Sequence, residues 1–407
     1  MKKLLSLIIG VITLNIVNAQ WIQSNAPNNY WIWGMSAEDT SCYAAVWTQG
    51  IYRSDDYGLT WTAKNNGIND LQIKRIEIAG SSVFSAGWSV NRSNNQGENW
   101  TEVNNGLLSL YTYSLAHSDT YVYVGSLGGY VYYLSDNDNY WTPIPIPGIA
   151  SYSSIVDMVV IDTMLFAGTE NNGIYRTKDN GANWEPVSNG LTNLSILSLE
   201  VSGTTLYAGT YFDKFFISTD YGETWINSTG NLPLAPDNTV SAIAFDDSVI
   251  FVGLKRGGVY ISQDHGASWQ NINDGLTNNY IMSLVVSGSN LIAGTVGYGI
   301  WYRSLSDIYN FLNIPNPVIS FSFGLGQNYP NPVISGTTIC FTLPCRSMAT
   351  LNIFDPSGKS VAKLADGDFA AGEHKVFFDA SGLPNGVYYY RLIAGPFIQS
   401  RKIVLAR

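Results

Sequence analysis

Ionisable side chains are scarce in this chain: 13% of its 407 residues are charged, and it has three histidines and three cysteines. His117, His265 and His374 share no metal-ligand spacing, which excludes a histidine-built zinc site, and no metal is expected. A Gly-x-Ser-x-Gly elbow, a Walker loop and a dinucleotide fingerprint are all missing, so no cofactor is expected and no residue is assigned as catalytic. Lys and Arg number 21 against 31 Asp and Glu, a net charge of −10 with no basic run, which argues against nucleic acid as a partner. No apolar stretch beyond the first residues reaches the roughly 20 needed to span a bilayer, so an integral membrane protein is not expected. Cys42 sits in a strand-like pattern as a small apolar residue, while Cys340 and Cys345 are near enough in sequence to cross-link after export.

What the chain has in quantity is the material of twisted strands and tight turns: 26 Tyr, 12 Trp and 39 Gly, with 45% of residues hydrophobic. Residues 1–19 read as a secretory leader, with Lys2 and Lys3, an apolar stretch from Leu4 to Val17, and Val17-Asn18-Ala19 as a small-residue cleavage site before Gln20.

One stretch returns down most of the sequence. Ser54-Asp55-Asp56-Tyr57-Gly58-Leu59-Thr60-Trp61 is nearly copied by Ser218 to Trp225, with Asp220 and Gly222 in register. Thr177 to Trp184 keeps Asp179 and Gly181, and Ser262 to Trp269 keeps Asp264 and Gly266. Ser93 to Trp100 places Asn95 at the aspartate, Leu134 to Trp141 keeps Asp136, and Ser304 to Phe311 keeps little beyond its serine. The aspartate at the head of such a turn accepts hydrogen bonds from amides two or three residues on, glycine supplies φ > 0, and tryptophan opens the next strand as a wedge between units. These turns therefore read as scaffold rather than as catalytic or calcium sites. The run Asp136-Asn137-Asp138-Asn139 reads as a degenerate turn.

Anchor aromatics at Trp21, Trp61, Trp100, Trp141, Trp184, Trp225, Trp269 and Phe311 are spaced by 40, 39, 41, 43, 41, 44 and 42 residues. Three strand-like runs recur in each interval, as in Ile155 to Ile161, Met164 to Gly168 and Gly173 to Arg176, and a polar fourth run follows the tryptophan. Four short strands at this period predict an all-β, seven-bladed β-propeller over residues 20–311. Trp21 stands at a fourth-strand position with no strands ahead of it, and the last unit stops after its third. The N-terminal strand is therefore expected to close the last blade, pairing beside 299–304.

The repeated Ser/Thr-x-Asp-x-Gly-x-x-Trp turn resembles the Asp-box, or BNR, repeat of the sialidase-like propellers, a group holding both enzymes and binders. The resemblance implies the fold over 21–311 and does not by itself imply activity. After a proline-bearing linker, 312–325, the texture changes to strands at Thr337 to Leu343, Ala349 to Phe354, Gly372 to Phe378, Gly386 to Ile393 and Ile398 to Leu405, a small β-sandwich over 326–407. Asn328-Tyr329-Pro330-Asn331-Pro332, Leu383-Pro384-Asn385-Gly386-Val387-Tyr388 and Arg401-Lys402-Ile403-Val404 resemble the type A C-terminal sorting domain of Bacteroidetes type IX secretion. That resemblance implies passage across the outer membrane, with the export machinery as partner, and a secreted or cell-surface protein.

The enzymatic members of the sialidase group use three arginines and a Tyr/Glu pair. Here Arg53, Arg92, Arg176 and Arg303 all fall one residue before the turn, at the end of a third strand, and only Arg75 and Arg256 remain. His117 and His265 fall in propeller turns. Function is expected on the face opposite the Asp turns, where the units differ. The loops between second and third strands carry the candidate ligand-binding residues Trp88, Glu170, Tyr211, Asp213, Lys255, Arg256 and Tyr298; the loops leading into the inner strands add Tyr30, Tyr113, Tyr152 and Tyr280. Such aromatics with a few charges suit a glycan or a peptide, which makes a non-catalytic binding or adhesion module the leading expectation. The alternative is a secreted glycoside hydrolase or lyase using carboxylates such as Glu170 and Asp213.

Overall fold

The computed structural model describes residues 20–38, 40–135, 138–211, 214–235, 237–312, 324–343, 347–369, 372–394 and 397–406. The chain divides into two compact units between Phe311 and Leu312. Residues 1–19, expected as a leader, most of the expected linker, Asp136, Asp213 and Cys345 lie outside the described residues. Cys340 is a free thiol, and Cys42 is fully buried, where burial pushes its thiol up to about 11.

The first unit is built from four-stranded antiparallel sheets, seven among the described residues, six of them made of consecutive strands. Their first strands are Ile32–Glu38, Ile73–Ala79, Thr112–His117, Ile155–Ile161, Ile196–Ser202, Val240–Asp246 and Ile281–Ser287. Each first strand contacts that of the following sheet, and Ile281–Ser287 contacts Ile32–Glu38, so these strands form a closed inner ring. The last sheet takes its outermost strand from the other end of the unit: Ile22 lies opposite Tyr302 and Gln23 opposite Trp301.

Small polar side chains stitch the ring at every junction. Ser114 Oγ donates to the Ile155 carbonyl at 2.9 Å, Ser198 to Val240 at 3.0 Å, Ser241 to Ile281 at 2.6 Å, and Ser283 to Ile32 at 3.1 Å. Ser36 accepts from the Ile78 amide, Thr112 donates to the Gly87 carbonyl, and Asp157 Oδ2 accepts from the Leu199 amide. Each such bond contributes about 1 kcal/mol net, and more where losing it would strand a buried group.

The repeated turns satisfy themselves. Ser54 Oγ accepts from the Gly58 amide at 2.9 Å and donates to Asp56 Oδ1 at 2.7 Å, which in turn accepts from the Thr60 amide at 2.8 Å. The same three bonds recur at Thr177/Asp179, Ser218/Asp220 and Ser262/Asp264, and at Ser93 with Asn95. The carboxylate thus reaches four residues on, further than the two or three expected. The cause is a second left-handed residue: Tyr57, at φ 60°, precedes Gly58, at φ 83°. A Cβ on Gly58 would meet Ile292 Cδ1 at 2.2 Å, so glycine also permits close approach to the neighbouring sheet. Hydrogen bonds from the Thr224 hydroxyl and amide hold the Asp220 carboxyl below its ordinary range.

The tryptophans after the turns bridge to the preceding sheet, Trp61 through its amide, which donates to Asn25 Oδ1 at 2.7 Å while its indole stays with the Gly58 carbonyl of its own turn. Nε1 of Trp100, Trp141, Trp184 and Trp225 donates to the carbonyls of Lys64, Val103, Ile144 and Val187, and Trp21 reaches Ile272 at 2.7 Å. The eighth anchor departs from this pattern. Residues Leu305–Phe311 form an α-helix rather than a turn, Phe311 is half exposed, and the buried aromatic is Tyr309, whose hydroxyl donates to Asp246. With the outer strand supplied by Ile22–Gln23, no turn has to lead into it from Ser304.

Arg53, Arg92, Arg176 and Arg303 lie on third strands. Arg176 joins Glu185 of its own sheet to Glu223 of the next, each at 2.6 Å, and Arg303 donates to the Ile272 carbonyl. His265 sits in a turn as expected, but His117 ends an inner strand instead.

The second unit is a sandwich of a three-stranded sheet (Gly324–Leu325, Gly336–Leu343, Gly372–Asp379) and a four-stranded one (Ser360–Phe369, Ser347–Phe354, Gly386–Ala394, Phe397–Leu405). Its core includes Leu351, Ile353, Phe341, Tyr390, Leu392 and Ile403. The Asn328–Pro332 segment is tied to the final strand through Asn331, which accepts from the Val404 amide at 3.0 Å, and to Tyr390, whose hydroxyl accepts from the Asn328 amide at 2.9 Å. Tyr388 donates to the Pro384 carbonyl at 3.1 Å.

Candidate functional site

In all seven sheets the register slips at the same place, between the first and third residues of the inner strand, as between Ile32 and Gly34 and between Ile73 and Arg75. These β-bulges lie at the end opposite the Asp turns, since Ile32 pairs with Val46 at the far end of the second strand while Glu38 pairs with Ser41. The residue before each bulge is a buried Ile, Val or Thr. The bulged residue differs in every sheet: Trp33, Lys74, Tyr113, Val156, Leu197, Ser241 and Met282. A bulge re-aims its side chain, and variation confined to one position of a repeated scaffold is where recognition is expected. Tyr113 therefore belongs to the inner strand and not to a preceding loop.

The inner strands enclose an axial cavity of about 360 Å³. Its lining includes Arg75, Glu77, His117, Asp157 and Glu200. His117 Nδ1 lies 2.9 Å from Glu77 Oε1, and this hydrogen bond, opposed by burial, raises the imidazole above its ordinary value. Burial raises the Asp157 carboxyl, against the pull of Arg75 and the Leu199 and Met158 amides. Glu200 is pushed up to about 8 by burial, then by the charges of Asp157 and Glu77, so near neutrality it is largely protonated. Both carboxyls border the cavity and are half-buried by solvent access, which moderates these effects. Among the described residues no three His, Cys, Asp or Glu side chains converge as a metal-ligand set.

Glu200 gives a pH prediction. Its folded-state value lies above the unfolded one near 4.5, so the folded chain binds more protons between pH 4.5 and 8 and loses stability as pH rises through that window. Glu200→Gln is expected to flatten this dependence and to raise stability at pH 9 by on the order of 1–3 kcal/mol, a discounted share of the full linkage. Thermal melts of both chains from pH 4 to 9 check it, and parallel curves would contradict it.

Aromatic rings cluster on the face that carries the bulges, and of these Trp33 also lines the cavity. Trp33 lies 5.6 Å from Trp31 and 5.9 Å from Trp47, and Trp88 meets Tyr111 edge-on at 5.3 Å. Lys74 Nζ stands 3.9 Å from the Tyr113 ring centre and 5.9 Å from that of Trp33. Trp31, Trp88 and Tyr111 are 45%, 43% and 47% exposed.

Of the sequence candidates, Trp88, Glu170, Tyr211, Lys255, Arg256 and Tyr298 all occupy loops between second and third strands. Lys255 Nζ lies 5.6 Å from the Tyr211 ring centre, and Arg256 pairs with Asp237 at 3.4 Å. No described contact joins Glu170 or Tyr298 to the others, and Asp213 lies outside the described residues. Sequence reasoning missed the axial charges and Lys74. Their signal was a charge inside an otherwise apolar inner strand, as in Ile73-Lys74-Arg75-Ile76-Glu77-Ile78 and Leu199-Glu200-Val201.

Comparison with known proteins agrees with this architecture. Residues 99–248 match the DUF6242 beta propeller domain, and residues 327–406 match a secretion system C-terminal sorting domain. The chain is thus a β-propeller protein carrying a C-terminal sorting domain, which directs it by type IX secretion to the cell surface or beyond. No curated protein sequence matches it. Similar solved structures include YCF48 from Cyanidioschyzon merolae, at 15% identity and a TM-score of 0.57 over 71% of this chain and 100% of that one. A second structure, YCF48 bound to D1 peptide, matches at 16% identity and a TM-score of 0.55, covering 72% of this chain and 96% of that one. The GH74 xyloglucanase from Xanthomonas campestris matches at 17% identity and a TM-score of 0.59, over 79% of this chain but 59% of the xyloglucanase. At these identities the likeness is one of fold.

Proposed function

We propose that the mature chain is a seven-bladed propeller of the Asp-box, sialidase-like kind, spanning residues 20–311, that acts outside the cell as a non-catalytic binding or adhesion module. In this reading residues 1–19 are removed as a leader, and the domain over 326–407 is read by the export machinery, with Pro330, Pro332, Gly386, Tyr388 and Lys402 in the sorting signal. The ligand is a glycan or peptide held on the face opposite the Asp turns by Trp88, Tyr211, Lys255 and Tyr298, together with the other aromatics of that face. The observation that carries the reading is the contrast between the two faces. On one side the turn carboxylates spend their hydrogen bonds on their own backbone. On the other, partly exposed rings such as Trp88 and Tyr111 sit where the units differ. Exposed aromatic pairs of this kind anchor ligands by stacking.

A glycan array combined with a hydrolysis screen of the exported protein tests the proposal. Binding without turnover is expected, and Trp88→Ala is expected to weaken binding about tenfold while leaving the melting temperature unchanged. Unchanged binding by that variant would count against the face assigned. A second reading, a secreted glycoside hydrolase or lyase, draws on protonated Glu200 beside Glu77 and Asp157 as a general acid. Turnover lost on Glu200→Gln would favour it.

A further inference from the structure

We propose that the bulge-bearing face beside the axial cavity seats a carboxylate, with Lys74 as its counter-ion, so that the ligand is an acidic, uronate-bearing glycan whose sugar rings lie on the surrounding aromatics. This rests on the binding reading above and narrows its ligand class.

The bulge at the start of Ile73–Ala79 sets Lys74 between Trp33 and Tyr113, the bulged residues of the two neighbouring sheets. The ammonium is half-buried, and among the described residues it pairs with no carboxylate. Burial depresses its proton affinity, and the like charge of Arg75 adds to this. A cation drawn partly out of water without a counter-charge is a costly arrangement that an incoming anion relieves. Beside it, the Trp33 ring lines the cavity, with its indole Nε1 turned away from solvent. The ammonium is left to pair with one carboxylate oxygen, the other staying in water.

Other anions fit less well. A phosphate or sulfate dianion calls for several cationic donors, but Arg75 turns its Nη1 to the Trp33 carbonyl at 3.0 Å. A peptide is held chiefly through main-chain pairing or deep side-chain pockets. This face offers rings instead, with Trp31, Trp88 and Tyr111 each between 43% and 47% exposed, which suits the apolar faces of pyranose rings.

Calorimetric titration of the full exported chain with a hexamer of alginate or pectate, and with the same hexamer after its carboxyl groups are reduced to alcohols, tests the inference. The acidic hexamer is expected to bind about tenfold tighter than the reduced one. Lys74→Met, which keeps the apolar stem over Tyr113, is expected to abolish that difference, while Lys74→Arg retains most of it. Equal affinity for the two hexamers, or an unchanged preference in Lys74→Met, would overturn the carboxylate seat. If Trp88→Ala still weakened both hexamers, the binding reading would stand without it. Binding to peptides alone, with no glycan bound by the wild type, would overturn this inference and the glycan form of the binding reading together.

Discussion

Trp225→Ala is expected to destabilise the propeller by on the order of 3–5 kcal/mol, measured by denaturant or thermal unfolding, the range of a large buried aromatic truncated in a core. The side chain is 4% exposed and clusters with Phe166, Val187 and Phe216, so it fills the space between two consecutive sheets. Its Nε1 donates to the Val187 carbonyl at 2.8 Å and its amide to the Asn189 carbonyl at 2.8 Å, both in the preceding sheet's outer segment. Alanine keeps the second bond, loses the first, and leaves both a cavity and an orphaned carbonyl. Because Trp21, Trp100 and Trp141 make the same bridge at other junctions, the loss is expected to open the ring cooperatively rather than to fray one sheet. A change below about 1 kcal/mol would mean that the tryptophans decorate the ring and do not hold it.

A chain ending after Phe311 is expected to retain the propeller's melting transition and to fail to reach the cell surface or the medium. The two units have separate cores, and the propeller's own last element, Leu305–Phe311, buries Leu305, Ile308 and Tyr309 before the division. The removed part holds the whole sorting domain, in which Asn331 is bound to Val404 and Asn328 to Tyr390, so the segments resembling a sorting signal are held together by one small core. Fractionation and surface proteolysis of producing cells check the outcome. Surface delivery of the truncated chain would show that export is directed from elsewhere.

The parts of the structure that were legible in the sequence are those where local chemistry and tertiary role coincide. The Ser/Thr-Asp-Gly-Trp turn is one, since the same atoms that shape it also satisfy it. The position of Trp21, with no strands ahead of it, likewise pointed to the pairing of Ile22 with Tyr302. The helix at Leu305–Phe311 was not legible, because its seven residues are too few for a clear period and Phe311 falls on the repeat spacing while Tyr309 takes the buried place. Strand Ser360–Phe369 escaped for a similar reason: Val361-Ala362-Lys363-Leu364-Ala365 has no strand-like composition, and its partners Ser347–Phe354 impose the conformation.

At the candidate site, Trp88 and Lys255 could be found as departures from the repeat on exposed loops. Glu77, Asp157 and Glu200 could not, because alternation along a strand reads a charged residue as facing bulk water, whereas here the inner strands turn that face to the axis. Lys74 was hidden by its bulge, which breaks the two-residue period at that position.

The central claim is that the turns build the ring and the opposite face binds, and the most direct measurement is ligand affinity and melting temperature determined side by side for Trp88→Ala and Asp220→Ala. Trp88→Ala is predicted to lose affinity at unchanged melting temperature. Asp220→Ala, which strips the acceptor from the Thr224 amide and hydroxyl, is predicted to lose on the order of 1–3 kcal/mol of stability at unchanged affinity below its melting range. The reverse pattern, binding abolished by Asp220→Ala with its melting curve unmoved, would contradict the account.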